Sequence, residues 1–175
     1  HFAGFKTGWT PQLFMTYVMW KRGHGFRVGI SRTYTDGRHQ PLPGPAFRMN
    51  QEHADAVWVL SIHDSEVEAR KAETLASLRH GLPTLPFIAR PNRQHDDSRS
   101  LVGKQAILDE VFSELDTEER GRELLEREGL SFEDPHFSAA TTTTGSRVRR
   151  RLTVSLCADA RAGRPQHRIS LFGYD

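Results

Sequence analysis

The alternation of apolar and polar positions marks out a β-hairpin first. Leu13–Trp20 is a short apolar run rich in aromatic and β-branched residues, the composition of a buried strand. Two glycines in the stretch 21–25 allow a tight reversal, and Phe26–Ser31 then alternates apolar with polar. Val57–Ile62 predicts a third strand. Between hairpin and third strand, residues 32–46 gather Pro41, Pro43, Gly44 and Pro45 and read as a loop, with a short helix expected within Phe47–Ala56. After the third strand, Asp64 or Ser65 can cap a helix whose first turn carries Glu66 and Glu68. Gly81 and Pro83 end that helix.

A polar loop covers 89–100, and two further helices are expected at Leu101–Leu115 and Thr117–Glu128, the second closed by Gly129. The stretch around Ser138–Ser146 is a low-complexity linker, and Arg147–Leu156 and Arg168–Phe172 predict a terminal hairpin. The expected class is α+β: a small core of hairpin, third strand and flanking helices, then two helices, a flexible linker and a short C-terminal β-hairpin. Its parts would be a core over 1–100, an acidic helical segment over 101–134, a Thr/Ser linker over 135–146 and a basic β element over 147–175. Two short strands are marginal alone, so the last element is expected to need further chain for completion.

Charge changes this picture. The net charge of +2 conceals a stretch from Asp109 to Asp134 with eleven acidic and three basic residues, leaving +10 for the remainder. Basic surfaces on either side of an acidic helical stretch favour a polyanionic partner. The single Cys157 excludes an internal disulfide and fits a reducing compartment, and neither a Cys-x-x-Cys pair nor a helical His-x-x-x-His pair offers a zinc site. No apolar run approaches membrane-spanning length and the N-terminus does not read as a signal peptide, so a soluble cytoplasmic module with no membrane partner is expected. The missing initiator Met reads as an excised piece of a longer chain. No Walker A motif is present, so no nucleotide cofactor is expected.

The chemistry-bearing residues are Tyr17 on the first strand, Arg27-Val28-Gly29 ten residues later on the second, Arg48 and His53 around the short helix, and Glu73 on the next helix. This outline resembles the core of the GIY-YIG nucleases. In that family a tyrosine on each hairpin strand, a helical arginine and a helical glutamate form the site, and the glutamate binds one divalent metal. The resemblance implies Tyr17, Arg27, Arg48, His53 and Glu73 as catalytic residues, with Glu73 holding Mg²⁺ or Mn²⁺. His24 and Arg32, at the hairpin's ends, are reserves. Three departures stand out: Arg27 replaces the second tyrosine, Thr16 precedes Tyr17 with no glycine in that motif, and the family's asparagine after the helix is absent, with Asn92 in a loop nearby. Each residue also has a plainer role open to it. Tyr17 can be core packing, Glu73 can pair with Arg70 on the surface, and Arg48 and His53 can be solvated.

Further runs carry a second resemblance: Tyr17–Trp20, Gly25–Ile30, Gln51–Leu60, Glu68–Arg70, Gly81–Thr84, Leu156–Arg161 and His167–Gly173. They are similar to the internal region of inteins hosted by UvrD/PcrA-type DNA helicases. That resemblance implies a homing function, a site-specific break in double-stranded DNA, with the flanking splicing halves and the host helicase as partners in cis. Splicing itself needs a terminal Cys or Ser and a His-Asn pair, whereas this chain ends in His1 and Tyr174-Asp175. After the linker, Arg147, Arg149, Arg150 and Arg151 open a strand, and alternation puts Arg147, Arg149 and Arg151 on one face. Together with Arg168 they are candidate phosphate contacts; a solvated edge strand is the plainer reading. A catalytically degenerate DNA-binding module and a structural spacer within the intein remain alternatives to the nuclease.

Overall fold

The computed structural model describes residues 12–34, 44–89 and 104–138, and the backbone of four short strands beyond them. It is an α+β structure built on a four-stranded antiparallel sheet in the order β2-β1-β3-β4, with four helices among the described residues. The hairpin is β1 (Phe14–Lys21) against β2 (Gly25–Arg32), in a register that sets Tyr17 opposite Gly29 and Met19 opposite Arg27. Strand β3 (Ala56–His63) pairs with the other edge of β1, with a register shift at Thr16/Tyr17.

Alternation along β1 divides the core. Leu13, Met15, Tyr17 and Met19 point to one face, where they meet Ala46 and Met49 of α1 (Gly44–Glu52), Phe112 of α3 (Gln105–Leu115), and Phe87. Val18, with Phe26, Val28 and Trp58, points to the other. There it meets Ala76 of α2 (Glu66–His80) and Leu124 and Leu125 of α4 (Thr117–Arg127). The sheet is thus covered on both faces, and the acidic helices α3 and α4 contribute to the core on either side of it.

The helix limits follow local chemistry. Ser65 caps α2 by accepting from the Glu68 N–H, and Gly81 ends it in the left-handed region at φ 62°. Helix α1 starts earlier than the sequence predicts. Residues 43–46 read as loop because of their Pro and Gly content, yet Gly44 and Pro45 form the helix's first turn. Proline is well placed there, because first-turn N–H groups need no partner within the helix. Conversely, α3 begins at Gln105 rather than Leu101. Residues 137–138, taken as part of the linker, form β4 (Phe137–Ser138), whose Phe137 is buried in the core.

The outer edge of β2 is also covered. Val28 donates its N–H to the Pro83 carbonyl at 2.9 Å, and Phe26 donates to the Thr117 hydroxyl at 2.7 Å. An edge strand masked in this way offers little surface for unwanted pairing. Beyond the sheet, β5 (Ala140–Thr141) pairs with β6 (Arg147–Val148), and β7 (Thr153–Cys157) pairs with β8 (Arg168–Phe172). The expected terminal hairpin is therefore present as β7-β8, and the described parts of the strand predicted over 147–156 fall in β6 and β7. No helix among the described residues is long and apolar enough to cross a membrane.

Candidate active site

The site grows from the pairing of Tyr17 with Gly29. Tyr17 is fully buried, and its hydroxyl has no hydrogen-bond partner. A Cβ at position 29 would stand 2.7 Å from that hydroxyl and 2.9 Å from Arg27 Nη1. Only a glycine lets both groups rest over the same patch of β2. The register shift at Thr16/Tyr17 is a local irregularity of the kind that re-aims side chains in sheets.

Arg27, which stands where the resembled family has its second tyrosine, is 3% exposed. Its Nε donates to the Leu85 carbonyl at 2.9 Å and lies 3.3 Å from Glu52 Oε2. Glu52, 1% exposed, also accepts from the Phe87 N–H at 3.1 Å and stands 3.3 Å from Arg48 Nη2. A buried charge must be paired to be tolerated; Glu52 pairs with both Arg27 and Arg48, and the backbone of Leu85 and Phe87 supplies hydrogen bonds to Arg27 and Glu52. Arg27's guanidinium also lies 5.9 Å from the centre of the Tyr17 ring, so it packs on the tyrosine as well as on the carboxylate.

Glu73 approaches from α2. Thr16 ties that helix to β1 by donating its hydroxyl to the Ala69 carbonyl at 3.1 Å, one turn before Glu73. Ala69 is buried and Ala76 packs against the second core cluster, so the helical face bearing Glu73 turns inward. Burial raises the Glu73 carboxyl above its ordinary pKa, opposed by the positive charges of Arg27, Arg70 and Arg48 in that order. Glu73 therefore shares one electrostatic neighbourhood with Arg27 and Arg48. The surface pair with Arg70 open to it from sequence is not formed: Arg70 instead binds Glu66, with Nη2 2.7 Å from Oε1.

Tyr17, Arg27, Glu52 and Arg48 thus form one network, whereas α2 packs through Ala76 on the opposite face of the sheet from Tyr17 and links Glu73 to Arg27 and Arg48 only through their charges. His53 lies just past α1 at φ 50° with its side chain exposed. His24 sits at the hairpin turn, 3.0 Å from Asp109. Arg32 lines a pocket beside the cluster, in company with Arg48 and Arg70. Arg147 lies in β6 and Arg168 in β8, whereas Arg149, Arg150 and Arg151 fall outside the described residues.

Sequence reasoning missed Glu52. The available signal was its i+4 spacing from Arg48 on a helix, but nothing local reveals that Arg27 arrives from another strand. Among the described residues no group of three or more His, Cys, Asp or Glu side chains could hold a metal ion. A single carboxylate still fits Mg²⁺, which keeps several waters and takes further oxygens from a phosphate substrate; on this ground Glu73 suits the role. No family model matches the chain, and neither a curated protein nor a solved structure does.

Proposed function

We propose that this chain is a GIY-YIG-like, Mg²⁺- or Mn²⁺-dependent DNA endonuclease module, the homing insert of an intein carried by a UvrD/PcrA-type helicase. The observation that carries this reading is that Glu73, an inward-facing carboxylate on α2, lies within reach of the charges of Arg27 and Arg48, which in turn share a network with the unpartnered hydroxyl of Tyr17. Glu73 would hold the divalent ion, which supplies Lewis-acid polarisation of the scissile phosphate. The Tyr17 hydroxyl would orient the attacking water. Arg48 would face the charge that develops on the phosphate, where a guanidinium is an effective partner. Arg27, its charge matched by Glu52, would hold Tyr17 in place. The partners on this reading are double-stranded DNA, the flanking splicing halves and the host helicase in cis, in the cytoplasm. Arg147, Arg149, Arg150, Arg151 and Arg168 would add phosphate contacts, each weakening binding with salt at a logarithmic slope of about −0.9.

One observation favours a second reading, DNA binding without cleavage. Tyr17 and Arg27 are both buried, and Arg27 is tied to Glu52, so the second strand of the motif offers no mobile acid or base. Nicking of supercoiled plasmid bearing the intein-free helicase site, with and without Mg²⁺, separates the two. Metal-dependent nicking abolished by Glu73→Ala supports the nuclease; gel-shift binding with no nicking in Mg²⁺ or Mn²⁺ supports the binding module.

A further inference from the structure

Beside the catalytic cluster lies a pocket of about 370 Å³, between the end of β2, the start of α1 and the first turns of α2. Its volume falls within the range of small-molecule sites. Three arginines line it, Arg32, Arg48 and Arg70, against one carboxylate, Glu66, so its wall carries an excess of positive charge. Phe14, Ile30, Tyr34 and Phe47 supply an apolar and aromatic side.

Two polar atoms of the wall are buried without a hydrogen-bond partner: Ser31 Oγ and Arg48 Nε. Arg48 Nη1 donates to Gln51 at 3.1 Å and Nη2 faces the Glu52 carboxylate at 3.3 Å, while Nε makes no hydrogen bond. A buried donor and a buried hydroxyl left unmade are costly. In the same cationic wall, they match the acceptor oxygens of a phosphate. The aromatic side matches the face of a base, on which stacking is tolerant of sequence.

We infer that this pocket receives one nucleotide of the DNA strand, phosphate toward Arg70, Ser31 and Arg48 and base against Phe47. The inference rests on the DNA-handling reading above and deepens it. Arg48 belongs to both the pocket and the cluster, and Arg70 precedes Glu73 by less than one helical turn. A nucleotide held there would fix the strand's register relative to Glu73. Glu66 opposes the phosphate, but its carboxylate is already engaged by Arg70.

Calorimetric titration with thymidine 5′-monophosphate, thymidine and inorganic phosphate tests this without divalent metal, and so independently of metal binding at Glu73. The monophosphate is expected to bind more tightly than either fragment. Arg70→Ala, at an exposed position, should weaken it about tenfold or more while leaving thymidine unaffected. Phe47→Leu should weaken thymidine and the monophosphate alike. Monophosphate binding no tighter than phosphate, or unchanged by Arg70→Ala, overturns the pocket. Nicking activity in a protein that does not bind the monophosphate removes the pocket and leaves the nuclease; binding in a protein that never nicks keeps the pocket and removes the nuclease.

Discussion

Arg27 and Glu52 form a buried ion pair, 3.3 Å apart and 3% and 1% exposed, that joins β2 to the last turn of α1. Breaking such a pair from one side leaves an uncompensated buried charge, which costs about 3–5 kcal/mol. Glu52→Ala also strips the Phe87 N–H of its acceptor. The variant is expected to lose about that amount in urea denaturation. Arg27→Met combined with Glu52→Leu should recover much of the loss, because no buried charge is then left facing the other's place. A double variant as unstable as the sum of its singles would show that the two residues act separately.

Tyr17→Phe separates packing from chemistry at one atom. The hydroxyl is buried and makes no hydrogen bond, so removing it deletes no partner and relieves a desolvated group. Thermal stability is expected to stay the same or rise slightly. If the hydroxyl positions the attacking water, nicking falls about 100-fold or more, in the range of general acid–base contributions. A variant that is equally stable and equally active assigns Tyr17 to the core alone.

The sequence makes local features legible and leaves distant ones hidden. The hairpin follows from alternation, and the limits of α2 follow from Ser65 and Gly81, because caps are chemistry of neighbouring residues. The start of α1 was missed for a related reason. Pro45 looks like a breaker until it is known to occupy a first turn. Nothing in the pattern of 101–134 announces that Phe112 and Leu124 bury against opposite faces of one sheet, since which face each helix covers is set by docking and not by its own sequence. In the candidate site, the resemblance singles out Tyr17, Arg48 and Glu73. The burial of Arg27 stays hidden, because its partner Glu52 lies 25 positions away on an element whose docking only the fold decides.

Gly121 sets how closely α4 approaches the sheet. A Cβ there would collide with the ring of Phe26, which is buried in the core. The ring has little room to yield, with Trp58 and Phe132 at centroid distances of 5.9 Å and 6.0 Å. Gly121→Ala improves helix propensity, by roughly 1 kcal/mol at most. Overpacking typically costs about 1–3 kcal/mol, so a net loss is expected, read as a lower denaturation midpoint. A gain in stability would mean that α4 docks more loosely than described.

His136 makes the fold sensitive to mild acid. Its Nδ1 accepts the Val59 N–H at 2.8 Å, just beyond the two residue pairs that β4 makes with β3, so the ring stands in for a ladder partner. Accepting at Nδ1 requires that nitrogen unprotonated. Burial pushes the imidazole below its ordinary pKa of 6.5, opposed only in part by Asp134. In the unfolded chain the ring takes its proton near 6.5, while the folded protein resists it. The unfolded state therefore binds more protons as the pH drops, and the contribution is fully present above about pH 6.5 and declines below it, at up to about 1.4 kcal/mol per pH unit. Burial lowers His63 and His80 too, so a residual slope of the same sign remains. His136→Asn keeps a side-chain acceptor and removes the titration. Denaturation midpoints measured from pH 7.5 to 5 should fall less steeply in the variant than in the wild type. Parallel curves would mean that losing the Val59 contact on protonation costs the fold nothing, and that the β3-β4 backbone pairing holds the ladder alone.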